Sequence, residues 1–230
     1  MKQVFITGAS RGLGKEMALA LLKAGFRVVA CVRPSSSPLV PVEMFRIHAD
    51  LADARDIDTI QAFLHETPPD VLINNAGYCH PLLFAEDITR ADLEHTWRLN
   101  VMAPFLLIQA ALPGMKARHQ GTIVNIGSYC GVRGVPRLSA YCASKAALRL
   151  LTQSLAKEVA AQGIKVFSVS PGGINTDMRE QLFGQEDAQR QQSPAEVAAT
   201  IVAAITGAID VPNGGELVIR QGERGIKPME

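Results

Sequence analysis

A short apolar run, Val4-Phe5-Ile6, leads at once into Thr7-Gly8-Ala9-Ser10-Arg11-Gly12-Leu13-Gly14, and a helical pattern then continues to Lys23. A strand, a glycine-rich turn and a helix in immediate succession leave the chain few ways to fold. Gly8 permits the tight turn, Gly12 lets another molecule approach the backbone, and Gly14 lets helix and strand pack closely. The unpaired N–H groups at the start of the helix then form an anion site suited to a dinucleotide's pyrophosphate. The spacing G-x-x-x-G-x-G departs from the general G-x-G-x-x-G fingerprint.

The same alternation continues along the chain. Residues 27–32 form a second apolar run, followed by Arg33. The stretch from Pro34 to Pro41 is too short and too rich in proline for a crossover helix, and predicts a loop or a single turn. A third strand over 44–47 ends at Asp50-Leu51, a helix over about 52–65 follows, and a fourth strand over 71–73 ends in Asn74-Asn75-Ala76-Gly77. Thr89 and Asp92 make an approximate capping box for one long helix reaching about Lys116, with Pro104 inside it. Strands over 121–126 and 164–169 flank a helix over about 139–162, and the second of them opens into Pro171-Gly172-Gly173-Ile174-Asn175-Thr176. Ser193-Pro194-Ala195-Glu196 starts a helix with a cap, and 216–219 is a last strand before a charged tail. Strictly alternating strands and helices predict a single α/β domain over 1–230, a doubly wound parallel sheet of about seven strands with helices on both faces. The polar, glutamine-rich stretch at about 177–193, with apolar points at Met178, Leu182 and Phe183, suits a short substrate lid.

Tyr141 and Lys145 are four residues apart and share one face of their helix, a single turn from each other. A free phenol, with a pKa near 10, needs about 4 kcal/mol of differential interaction to titrate near neutrality. One ammonium in water supplies about 1 kcal/mol at 4 Å, so the pair makes sense only in a partly desolvated cleft that also holds a cationic cofactor ring. There a cation is expected to lower the phenol's pKa. Cys31, Cys79, Cys130 and Cys142 show no Cys-x-x-Cys spacing and read as reduced thiols of a cytoplasmic protein; no metal site is expected, and Cys79-His80 has no activating partner. A net charge of +1 argues against nucleic acid, no apolar run is long enough to span a bilayer, and the strand pattern at the N-terminus leaves no room for a signal peptide.

Taken in order, Thr7-Gly8-x-x-x-Gly12-x-Gly14, Asp50, Asn74-Asn75-Ala76-Gly77, Asn100, Ser128, Tyr141-x-x-x-Lys145 and Pro171-Gly172 resemble the short-chain dehydrogenase/reductase family over essentially the whole chain. The resemblance implies a Rossmann fold and a catalytic tetrad of Asn100, Ser128, Tyr141 and Lys145. Tyr141 would be the general acid in reduction and the base in oxidation, Ser128 would bond the substrate oxygen, and Lys145 would bias the phenol and reach the nicotinamide ribose. The residues expected to hold the cofactor are Gly8, Ser10, Arg11, Gly12, Leu13, Gly14, Arg33, Asp50, Leu51, Asn74, Ala76, Gly77, Tyr141, Lys145, Pro171, Gly172, Ile174 and Thr176. Arg33 stands where NAD-binding units carry a carboxylate, and with Arg11 it favours NADP(H) over NAD(H) through the 2′-phosphate.

The implied activity is interconversion of a ketone or aldehyde and an alcohol, on a small-molecule substrate. A 3-oxoacyl thioester reductase, or a nucleotide-sensing protein without turnover, are the alternatives. An isomerase or dehydratase of nucleotide sugars needs a longer C-terminal substrate domain than this chain has room for. The helix of Tyr141 and the long helix of Trp97, Met102, Phe105 and Ile108 carry more apolar surface than one packing face needs, so a homodimer or homotetramer is expected. Proline lacks an N–H, so Pro104 should kink the long helix and leave the Asn100 carbonyl open to a water. In the family resembled, such a water carries protons between the lysine and solvent.

Overall fold

Apolar runs without polar interruption cannot face water on either side, and the fold buries them on both. A computed structural model describes residues 1–33 and 43–227; the proline-rich stretch read as a loop lies outside the described residues. Strands β1 (Gln3–Thr7), β2 (Arg27–Val32), β3 (Phe45–His48), β4 (Val71–Asn74), β5 (Gly121–Ile126), β6 (Ile164–Pro171) and β7 (Glu216–Arg220) are parallel. With β8 (Glu223–Lys227) they lie in the order β3-β2-β1-β4-β5-β6-β7-β8. Strand order reverses between β1 and β4, and a crevice opens beyond their carboxyl ends, as doubly wound sheets require.

Alternate residues of each strand feed two cores. Val4 and Ile6 of β1 join a core with Met17 and Leu21 of α1 (Gly12–Lys23) and Val197 and Ile201 of α8 (Pro194–Thr206). Phe5, between them, points to the other face, into a core built from α2 (Ala54–Glu66), α4 (Ala103–Ala117) and α5 (Ser139–Glu158). The period of two along a strand thus assigns the helices to their layers.

Four sequence-based expectations are corrected. The charged tail forms an eighth strand: β8 returns antiparallel to β7 around the two-residue turn Gln221-Gly222, with Gly222 at φ +75°, a conformation suited to glycine in tight hairpins. The long helix is two, α3 (Arg90–Trp97) and α4, joined by a π-helical turn over Arg98–Met102. Pro104 therefore stands in the first turn of α4, directly after the π-helical turn, and the proline inside that helix is Pro113. α5 ends at Glu158, and Ala160–Gln162 form a separate 3₁₀ turn before Gly163 at φ +67°. Ser193 precedes α8 but its hydroxyl makes no capping bond, whereas Thr89 caps α3 through the Asp92 N–H.

Candidate active site

The turn after β1 is clamped to the loop after β4. The Thr7 hydroxyl oxygen accepts from the N–H groups of Asn75 and Ala76, both at 3.0 Å. The Asn75 amide donates to the carbonyls of Thr7 (2.8 Å) and Gly8 (3.2 Å). Gly8 bends with φ +68°, and a Cβ on Gly14 would lie 2.2 Å from the Gly8 carbonyl oxygen, so both glycines are demanded by geometry. No acidic residue stands in the first turn of α1 and no side chain caps it. Its N–H groups and dipole therefore favour an anion there, and these residues fit the pyrophosphate of a dinucleotide.

A single cleft of about 700 Å³ runs from this turn to the start of α5. Every residue expected to hold a cofactor lines it except Asn74. Asn74 is 2 % exposed and points beneath the floor, where its amide donates to Asn125 Oδ1 at 2.8 Å; Asn125 in turn donates to the Thr152 hydroxyl. Its role in these contacts is to tie β4 to β5 and α5. Asn75, one residue on, is the asparagine that lines the cleft.

At the other end Ser128 follows β5, while Tyr141 and Lys145 rise from α5. The Lys145 ammonium is 4 % exposed, donates to the Ile126 carbonyl at 2.9 Å and sits 5.8 Å from the centre of the Tyr141 ring. Asn100 is fully buried in the π-helical turn and is not a lining residue. Its Oδ1 accepts from the Tyr78 N–H (2.9 Å), and its amide donates to the Tyr78 carbonyl (2.8 Å) and the Ser144 hydroxyl (2.9 Å). Ser144 donates to the Tyr141 carbonyl at 2.7 Å. Asn100 therefore fixes the loop after β4 to the first turn of α5. A Cβ on Gly77 would lie 3.1 Å from Asn100 Oδ1 and 3.4 Å from Lys145 Nζ, so that loop passes tightly between them.

In the cofactor-free protein the phenol's pKa moves opposite to the lowering expected beside a lysine and a cationic cofactor ring. Burial raises the Tyr141 pKa, with the neighbouring thiols Cys79 and Cys130 adding to it, and a hydrogen bond with Ser128 only partly opposes this. Desolvation exceeds the help available from one lysine because the lysine is buried too: the Lys145 ammonium is lowered to about 8, chiefly by its own burial. Tyr141 thus stands protonated. Burial also pushes the Cys79 thiol up to about 12, which leaves it a poor nucleophile.

At the mouth, Arg11 of the glycine turn pairs with Asp177 at 3.1 Å. Asp177 opens α6 (Asp177–Phe183), which α7 (Gln185–Gln189) follows. Met178, Leu182 and Phe183 all line the cleft. The base of this segment is tied, since Ile174 bridges Gln192 and the Asn175 N–H donates to the Gln192 carbonyl at 2.9 Å.

Comparison with known families decides the chain's membership. Residues 2–187 match the model described as short chain dehydrogenase. The chain belongs to the short-chain dehydrogenase/reductase family. It is similar to an NADPH-dependent pterin aldehyde reductase of Arabidopsis thaliana, at 32% identity covering 95% of this chain and 93% of the relative. It is also similar to a 3-oxoacyl-[acyl-carrier-protein] reductase of Synechocystis, at 35% identity covering 85% of each. Among solved structures, a 3-ketoacyl-(acyl-carrier-protein) reductase of Brucella melitensis complexed with NADH superposes with a TM-score of 0.85 at 26% identity, covering 95% of this chain and 96% of that one. As a short-chain dehydrogenase/reductase, the chain is an NAD(P)-dependent oxidoreductase acting on CH–OH groups. Among the described residues, no helix is long and apolar enough to cross a membrane, and no cluster of His, Cys, Asp and Glu could hold a metal.

Several residues shape this short-chain dehydrogenase/reductase site through contacts that the sequence does not display. Thr7 and Asn75 build the glycine turn, and Ser144, inside the Tyr141–Lys145 interval, carries the Asn100 contact. Tyr129 and Arg220 meet at the far wall, where the guanidinium lies 4.2 Å from the ring centre. The first three lie within or beside quoted motifs and were legible there. The Tyr129–Arg220 contact joins the 3₁₀ turn after β5 to the end of β7, which nothing local connects.

Proposed function

We propose that the protein reduces a ketone or aldehyde to an alcohol, reversibly, with NADP(H) as the preferred cofactor. The observation that carries this reading is the convergence of Ser128, Tyr141 and Lys145 at one end of a cleft whose other end is an open helix N-terminus. When bound, the reduced nicotinamide supplies the hydride. Ser128 holds the substrate oxygen and Tyr141, protonated because it is buried, delivers the proton to it. Lys145 stabilises the phenolate left behind and takes the nicotinamide ribose. Asn100 acts through Ser144 and the Tyr78 loop, as a positioning residue. Its carbonyl, three residues before the start of α4, is the acceptor for a water that returns protons toward Lys145.

The preference for NADP(H) is supported by Arg33 and Arg11 in the cleft, with Asp50 as the carboxylate that borders the adenine. The residues assigned to the cofactor are the lining members of the set read from the sequence, with Asn75 in place of Asn74. We assign the segment of α6 and α7 as a lid, because the apolar side chains of α6 line the cleft while the segment's two ends are tied together. Exposed Met102 in the π-helical turn, Phe105 on α4 and Leu150 on α5 support a homodimer or homotetramer. Cys31, Cys79, Cys130 and Cys142 are unpaired, which suits the cytoplasm. A second reading, a 3-oxoacyl thioester reductase, is favoured by the likeness to the Synechocystis enzyme.

A screen of aldehydes, ketones and a 3-oxoacyl thioester with purified protein, following loss of reduced-nicotinamide absorbance, tests both readings. Turnover with NADPH at higher kcat/KM than with NADH is expected. A lower value with NADPH overturns the cofactor assignment, and turnover of the thioester alone selects the second reading.

A further inference from the structure

The two ends of the cleft differ in chemistry. Among the described residues, the carboxylates that line it are Asp50 and Asp177, the second paired with Arg11 at the mouth. The end that holds Ser128 and Tyr141 is largely apolar. The segment between those two residues contributes Val135 and Leu138, and α6 contributes Met178, Leu182 and Phe183. Met178 and Phe183 are each 36% exposed although they line the cleft, so apolar surface there still meets water. The charged groups of this end are engaged elsewhere. Arg179 donates to both oxygens of Asp187, and its guanidinium lies over the Phe183 ring, 3.9 Å from the centre. Arg220 lies over Tyr129 and makes a further interaction besides. Two polar side chains are spent as well. The Tyr78 hydroxyl donates to Asp92, which does not line the cleft, and the Gln191 amide donates to the Asp187 carbonyl at 3.1 Å.

Partly exposed apolar side chains beside a reacting centre are stabilised when an apolar group covers them. An ionic or polyhydroxylated group entering the same space gives up its hydration and meets cations already committed to other partners. We propose that this site selects carbonyl compounds whose chain or ring is apolar, the carbonyl lying at Ser128 and Tyr141 and the apolar part against Val135, Leu138 and the α6 side chains. The inference rests on the reductase reading above and names the substrate class for that site.

Two measurements separate its failure from that of the reductase reading. The first is kcat/KM for unbranched aldehydes from propanal to heptanal. A rise of about two- to fourfold per added methylene is expected, the range that burial of one CH₂ allows. Leu182→Ser with Phe183→Ser should flatten that slope, while Leu182→Met with Phe183→Leu should keep most of it. A flat or falling series in the parent protein, or a slope unchanged by the serine pair, overturns the proposal. The second measurement needs no turnover: calorimetric binding of unbranched amides to the protein saturated with NADP⁺ or NAD⁺. Affinity that rises from butanamide to heptanamide, with hexanamide about tenfold or more above gluconamide, upholds the proposal even if no aldehyde reacts. Affinity that does not rise with chain length, absence of binding included, overturns it, while turnover of any aldehyde leaves the reductase reading intact.

Discussion

Arg11 Nη1 lies 3.1 Å from Asp177 Oδ2, across the mouth of the cleft and 166 residues away in sequence. Both side chains are more than half exposed, so the pair contributes little to stability. Its interest is competitive, because a guanidinium drawn to Asp177 is drawn away from the 2′-phosphate we assign to it. Asp177→Asn removes the competitor. NADP(H) should then bind up to about fivefold tighter, the scale of one exposed ion pair, while NAD(H) stays nearly unchanged. Fluorescence titration of both cofactors checks this, and weaker NADP(H) binding would refute the competition.

Tyr141→Phe should abolish turnover and leave cofactor affinity nearly intact, because only the transferable proton is lost. The expected fall in kcat is about 10²-fold or more, the usual worth of a positioned general acid. Residual activity above about a hundredth, measured by single-turnover kinetics, would assign the proton to another group.

Lys145 gives the cofactor-free protein a definite pH signature. Its pKa is lowered by burial from 10.5 to about 8, so between those values the unfolded chain binds the proton more strongly than the folded one. Stability from this group therefore rises with pH through that window: the penalty of a buried charge is fully present below it and relieved above it. Lys145→Met does not titrate. The difference in Tm, variant minus parent, should fall as pH rises from about 7 to about 9.5 in scanning calorimetry. A difference that grows with pH would reverse the sign and refute the buried charge.

Met102, Phe105 and Leu150 are 53%, 50% and 61% exposed, an apolar excess on the π-helical turn, α4 and α5 beyond what their sheet-facing sides use. Sedimentation velocity at micromolar concentration should find an oligomer, and Phe105→Glu with Leu150→Glu should convert it to monomer. A monomeric parent protein would remove the basis for this assignment.

The parts of the fold legible in the sequence were those fixed by local sterics. The turn after β1 admits little but glycine, and the one-turn spacing of Tyr141 and Lys145 is a property of any helix. That Asn74 lies beneath the floor while Asn75 lines the cleft follows from pleat phase: adjacent strand-end residues point to opposite sides, and composition does not say which of two asparagines points down. The direction of the Tyr141 pKa in the cofactor-free protein is not legible in the sequence because it depends first on burial and then on Cys79 and Cys130, all set by tertiary folding. β8 was missed because Glu223-Arg224-Gly225-Ile226-Lys227 has a single strongly apolar residue and pairs only because β7 presents an edge. The π-helical turn has no compositional sign at all, since its hydrogen bonds differ from those of an α-helix by one residue of register.

That turn makes the count of residues, rather than their kind, the guarded quantity between α3 and α4. It amounts to one residue inserted into an otherwise α-helical rod, which advances about 100° per residue. Removing any one residue from Arg98–Met102 would let the rod heal into uninterrupted α-helix and turn α3 by about that angle against α4. Asp92, whose carboxylate takes the Tyr78 hydroxyl at 3.1 Å, and His95, whose ring meets that of Tyr78 edge-on with centres 4.5 Å apart, would both swing away from Tyr78. Most substitutions on the exposed side of this segment should pass unnoticed, while an in-frame deletion of a single codon should silence the enzyme.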